Sequence, residues 1–155
     1  MIEEWLLNDT PVNRAIQVAL DEHQFDRPTL LHVLRVGAAG KTEDEQIVGF
    51  LHDVIEDNID KNRDVITLWL RKFFAPHIVE SVLILTRHEN ESYETYIRRV
   101  AETVLAKAVK ITDLKDNLSR DDGSITPERK ASLRTRYLKA LDTLEPEWTH
   151  YAPTT

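Results

Sequence analysis

Apolar residues recur three and four apart along nearly the whole chain, the spacing of one face of an α-helix, and proline, glycine and small polar residues mark the interruptions. Thr10 followed by Pro11 predicts a cap and first turn, opening a helix that carries Val12, Ala15, Ile16, Ala19 and Leu20 toward a core. A second helix is expected from near Pro28 to Gly40, glycine being favoured just past a helix end. Thr42 and Glu45 have capping-box spacing, so a third helix should start there and run to about Asn58. Downstream, "VITLWLRKFF" predicts a short helix, Pro76 starts another through "HIVESVLILT", and Ser92 caps "YETYIRRVAETV". The segment "LAKAVKITDLKDNL" reads as a largely buried helix, and "SRDDGS" as a polar loop. Thr126 and Pro127 open a last amphipathic helix to about Leu144, and the tail "EPEWTHYAPTT" is expected to fray or pack loosely. The pattern predicts an all-α bundle without internal repeats or an interdomain linker.

Composition narrows this picture. The 155 residues fit one domain, with its core from about 10 to 145. Four glycines are too few for a strand-and-turn protein or a glycine-rich phosphate loop. The absence of cysteine excludes disulfides, thiolate metal sites and thiol nucleophiles, and suits a reducing cytoplasm. The segment "MIEEWLLNDT" is acidic and lacks a basic flank and a long apolar run, so neither a secretory leader nor an anchor is expected. No apolar stretch is long enough to span a bilayer, so no membrane partner is expected. A formal charge of -7 argues against nucleic acid as a partner and is a better match for cations, although a solvated acidic surface is its commoner meaning.

The segment "FLHDVIEDN" breaks the simple pattern. His52, Asp53, Glu56 and Asp57 stand among Val48, Phe50, Leu51, Val54 and Ile55, residues suited to a buried face. On a continuous helix His52 lies beside Glu56 and Asp53 beside Asp57. Buried carboxylates and imidazoles are costly unless paired or bound to a metal. A second polar set, Asp113 and Asn117, accompanies Val109, Ile111, Leu114 and Leu118, and His32 sits within Leu30, Leu31, Leu34 and Val36. Two imidazoles and two carboxylates suit a divalent ion such as Mn²⁺, Fe²⁺, Zn²⁺ or Ni²⁺. Taken singly, His32 also reads as a satisfied core histidine, and Asp113 as a surface partner of Lys110 or Lys115.

His32, the His52–Asp53 doublet and Asp113, in that order, resemble the defining pattern of the HD superfamily of metal-dependent phosphohydrolases. The longer stretches "HDVIEDN", "LTRHENESYETYIRRVA" and "VKITDLKDNLSR" resemble the hydrolase domain of the RelA/SpoT family and its small stand-alone relatives, over about His23 to Arg120. These enzymes remove the 3′-pyrophosphate from ppGpp and pppGpp, usually with Mn²⁺. The resemblance implies an HD-domain helical bundle over residues 1–155, in which His32, His52, Asp53 and Asp113 hold one divalent metal, Mn²⁺ first, with Fe²⁺, Ni²⁺, Zn²⁺ or Co²⁺ as alternatives. It implies further that Glu56 and Asp57 orient and activate the attacking water and that Asn117 contacts the nucleotide. The stretch "HQFDRPTLLH" is shorter than its counterpart in those relatives, which is rich in Arg, Lys and Gly and helps to grip guanine; Arg27 is its one obvious basic candidate.

Other positions carry two readings. Thr86, Arg87, Tyr93 and Tyr96 match the family's pocket segment, with Arg87 suited to phosphate. Tyr93, Tyr96 and Ile97 equally fit a helix's core stripe. Lys110 suits phosphate or a surface carboxylate, and His77 and His88 stand where dinuclear HD proteins carry extra ligands. Alternative functions are a nucleotidase or phosphodiesterase on another nucleotide, and a nucleotide-sensing module without turnover. The oligomeric state is left open.

Overall fold

Side-chain oxygens set most helix starts. Thr10, Asp26, Thr42, Asn62, Ser92 and Thr126 each accept from a backbone N–H two or three residues further on. Proline occupies the first turn after Thr10, Asp26, Ala75 and Thr126, where its missing N–H costs nothing. The resulting elements are α1 (Pro11–His23), α2 (Arg27–Ala38), α3 (Glu43–Leu51), α4 (Arg63–Phe73), α5 (Pro76–Leu85), α6 (Tyr93–Ala101), α7 (Val104–Ser119) and α8 (Pro127–Leu144). This computed structural model describes residues 9–58, 62–120, 123 and 125–146. The expectations for residues 1–8, for positions 121, 122 and 124 of the "SRDDGS" loop and for the tail from 147 onward lie outside the described residues. Among the described residues the protein is all-α, and no helix is long and apolar enough to cross a membrane.

Helix α3 is the hub: it packs against α1, α2, α5 and α7, and Ile47, Val48, Phe50 and Leu51 are buried there. Helix α7 runs beside α2, α3, α5, α6 and α8, so it joins both halves of the bundle. Helices α2 and α3 approach most closely at glycines. A Cβ on Gly49 would stand 2.8 Å from the Gly37 Cα, and one on Gly37 would stand 2.2 Å from the Phe50 ring. The small residues bring His32 on α2 and the end of α3 together.

Three expectations are corrected. Helix α3 stops at Leu51 instead of continuing to Asn58, and residues 52–58 form successive turns. The cause is local: His52 Nδ1 bonds the Gly49 carbonyl, the oxygen that a continuing helix would offer to the Asp53 amide. One i,i+4 link survives, from the Asp57 amide to the Asp53 carbonyl at 2.9 Å. The helix after Ser92 ends at Ala101, before "ETV", because Thr103 adopts extended backbone (φ -115, ψ 118) at the N-cap position of α7, where its side chain makes no capping bond. Leu20 is 39% exposed instead of facing the core, where Ala15, Val18 and Ala19 are buried.

Candidate metal centre

The end of α3, the middle of α2 and the middle of α7 meet at one point. His32 Nε2, His52 Nε2 and one Asp53 carboxylate oxygen lie within 4.8 Å of one another and could hold a metal ion. Asp53 Oδ2 is 3.1 Å from His52 Nε2 and 3.8 Å from His32 Nε2. Asp113 Oδ1 is 3.1 Å from His32 Nε2 and 3.8 Å from His52 Nε2. Donor atoms that share one ion at about 2.1 Å stand about 3–4 Å apart, so the spacings of His32, His52 and Asp53 fit a common ion. Asp113, expected as a fourth ligand, lies beside this group but is not one of its members.

The second nitrogens support the fit. A carbonyl or carboxylate oxygen accepts only, so the partners of Nδ1 fix the proton there and leave Nε2 as the donor atom for a metal. His52 Nδ1 donates to Gly49 O at 2.7 Å, and His32 Nδ1 to Asp116 Oδ2 at 2.7 Å. His52 Nε2 is buried and makes no hydrogen bond, an orphaned atom that a cation would satisfy.

Electrostatics describe a site that calls for positive charge. Burial by itself would lower the His52 pKa, but the Asp53 and Asp113 carboxylates outweigh it and raise it to about 9. A metal would therefore displace a proton. Burial would raise the Asp113 carboxyl, yet Lys110, His32 and His52 hold it well below the usual range. Lys110 Nζ donates to Asp113 Oδ2 at 2.7 Å; burial opposes its charge, and Asp113 restores it, raising its pKa. Lys110 and Asp113 thus form a buried pair beside the centre, not a surface one.

A cavity of about 310 Å³ opens above this point. His32, Asp53, Glu56, Asp57 and Asp113 line it, Arg87, Lys110, Arg120 and Arg136 contribute positive charge, and Tyr93 and Tyr137 contribute rings. Asp57 is half-exposed; burial first, then the nearby Asp53, raises its carboxyl to about 6. Its Oδ2 lies 3.6 Å from Nδ1 of the buried His23. Glu56 is held differently, its Oε1 accepting from the Arg87 amide at 2.6 Å.

The remaining candidates separate. Tyr93 and Tyr96 both line the cavity; Tyr96 donates to Leu85 O at 2.6 Å, while the buried Tyr93 hydroxyl has no partner. The Tyr93 ring carries Arg136 at 4.6 Å and Arg87 at 5.9 Å from its centroid. Arg87 donates Nε and Nη2 to Glu91 O, which pins it to its own loop. Asn117 donates to Asp113 Oδ1 at 2.7 Å and accepts from Arg120, so it braces a carboxylate of the cluster. Thr86 is buried, its hydroxyl donating to Val82 O. Arg27 is exposed at the start of α2 and does not line this cavity. His77 pairs with Asp44 at the surface, and neither His77 nor His88 belongs to the metal-capable group found among the described residues.

Sequence reasoning missed His23, Asp116, Arg120, Arg136 and Tyr137. Asp116 and Arg120 had a signal, since they fall three residues after Asp113 and Asn117, Asp116 on α7 and Arg120 just past its end. Arg136 and Tyr137 had none: the packing of α8 against α6 and α7 brings them to the cavity. No model of a known protein family matches the chain, and a search of curated proteins finds no similar sequence.

Proposed function

We propose that this protein is a metal-dependent phosphohydrolase of HD type, acting on a nucleotide that carries a pyrophosphate, with guanosine tetraphosphate and pentaphosphate as the first candidates. One observation carries the reading: His32, Asp53 and Asp113 line one cavity together with four cationic side chains, and the buried His52 stands behind them with its Nε2 3.1 Å from Asp53 Oδ2. Such a cavity offers donors to a cation below and charge-assisted hydrogen bonds to phosphate above. The motif resemblance supplies the reaction class, and Mn²⁺ is the ion it suggests first.

When bound, a divalent cation supplies Lewis acidity to a phosphoryl oxygen and makes water a better nucleophile at neutral pH. The chain's own residues do the rest. Asp57, which lines the cavity, takes the proton that water loses as its oxygen bonds to phosphorus, and Glu56 fixes the neighbouring turn through the Arg87 amide. Lys110, Arg120 and Arg136 neutralise the phosphoryl oxygens, and the Tyr93 ring lines the cavity beside Arg136. The bond from phosphorus to the ribose 3′-oxygen breaks, and that oxygen takes up a proton from solvent while Asp57 returns the one it accepted.

A second substrate reading has its own motive. Arg27, the basic residue of the shortened segment, is exposed and outside the cavity, so the guanine grip expected of the family lacks its one candidate. That favours a hydrolase for another nucleotide. The test is release of pyrophosphate or phosphate by metal-stripped protein with added Mn²⁺, across ppGpp, nucleoside phosphates and cyclic nucleotides. Pyrophosphate release confined to ppGpp supports the first candidate, and turnover of another nucleotide replaces the substrate. Tight nucleotide binding without turnover in any divalent metal would overturn the enzyme reading and leave a sensor.

A further inference from the structure

One turn of α7 grips both nitrogens of the His32 ring. Asp113 Oδ1 lies 3.1 Å from Nε2, and Asp116 Oδ2 lies 2.7 Å from Nδ1 on the opposite side. Asp116 is itself clamped: Arg35 Nε reaches its Oδ1 at 2.6 Å and Arg35 Nη2 its Oδ2 at 3.1 Å, with Arg120 Nε at 3.5 Å. His32 and Arg35 stand one turn apart on α2, so a single carboxylate receives both from the same helix face. Its side chain is only 11% exposed, whereas that of Arg35 is 46% exposed.

We infer that Asp116 is a positioning residue for the metal centre and that Arg35 holds it in place. This rests on the metal-site reading above. A histidine ring can turn about its Cβ–Cγ bond and carry its proton on either nitrogen. A carboxylate at Nδ1 removes both freedoms: it keeps the proton on Nδ1, aims Nε2 at Asp53 and Asp113, and strengthens Nε2 as an electron donor. His52 obtains the same service from a backbone carbonyl, which no side-chain substitution removes. Asp116 is therefore the replaceable half of the centre's orienting shell. Arg35 fixes the carboxylate rotamer with two parallel hydrogen bonds, the geometry that a guanidinium supports best.

The alternative is that the Arg35–Asp116 pair merely ties α2 to α7. Binding of Mn²⁺ and of Co²⁺, each alone, by the full chain separates the two. Asp116→Ala should weaken both metals by about 10–100-fold and change the visible Co²⁺ spectrum. Asp116→Asn, whose amide oxygen still accepts from Nδ1, should recover most of the affinity although it lacks the charge that pairs with Arg35. Arg35→Met changes an exposed side chain, preserves the fold and should weaken binding by a smaller factor. Wild-type protein that bound neither ion would overturn the site reading and this inference with it. Wild-type binding that all three variants reproduced, with an unchanged Co²⁺ spectrum, would overturn the inference alone.

Discussion

Asp57 and Glu56 are adjacent in sequence and held by different partners. Glu56 is tied to the Arg87 amide at 2.6 Å, whereas Asp57 faces the cavity beside His23. If Asp57 takes the water's proton, Asp57→Asn should cut turnover about a hundredfold or more. Metal affinity should stay near wild type, because Asp57 is outside the group that could hold the ion. His52→Ala should lose both. Calorimetric Mn²⁺ binding beside a pyrophosphate-release assay checks the pair, and normal turnover by Asp57→Asn would reject the assignment. Glu91 gives a stability prediction at the same scale. Its carboxylate takes Arg99 Nε at 2.9 Å and Arg99 Nη2 at 2.8 Å, and the pair holds it at about 2, below its usual value of 4.5. A depressed carboxyl stabilises the fold above its unfolded value and loses that contribution as pH falls toward the folded one. Glu91→Gln should therefore cost about 1–3 kcal/mol at neutral pH. The gap from wild type in urea unfolding should shrink as pH drops from 4.5 toward about 2. A gap independent of pH would mean that packing, not charge, sets the cost.

At the scale of elements, the junction of α2 and α3 controls how the two histidines meet. Gly49→Ala would drive a Cβ to within 2.8 Å of the Gly37 Cα, a backbone atom that cannot rotate away. The variant should lose about 1–3 kcal/mol of stability as α2 is pushed off α3. Because that shift separates His32 from His52, metal affinity should fall too, even in protein that remains folded; wild-type affinity in folded Gly49→Ala would show that the centre tolerates the displacement. Helix starts were legible in the sequence because caps and prolines act locally: Thr10, Thr42, Ser92 and Thr126 all cap as expected. Two ends were not legible. The apolar residues after Leu51 keep a helical rhythm, and only the bond from His52 to Gly49 O shows why the helix stops there. The break at Thr103 likewise lies inside a run that reads as continuous helix.

The whole molecule links metal and stability. The group that could hold an ion draws its donors from α2 and from the turn after α3, with Asp113 of α7 beside it, so an ion held there binds only when these packed elements are in place. Metal at about a hundred times its dissociation constant should add about 2.7 kcal/mol to unfolding. For a domain of this size that raises Tm by roughly 5–10 °C. Thermal scans with Mn²⁺ and with chelator test this, and His52→Ala should remove the difference; an equal Tm in both media would argue against a resident ion. What the sequence determined by itself was the all-α class, most helix boundaries and His32, His52 and Asp53 as metal-capable residues, because helical periodicity, capping and side-chain chemistry are local properties. The tertiary structure decided which groups share a point in space. It brought Arg136 and Tyr137 to the cavity from α8, left Arg27 outside it, and put Asp116 behind His32. Those outcomes depend on packing between elements remote in the chain: spacing along α7 sets Asp116 one turn from Asp113, but nothing local says that His32 would meet it.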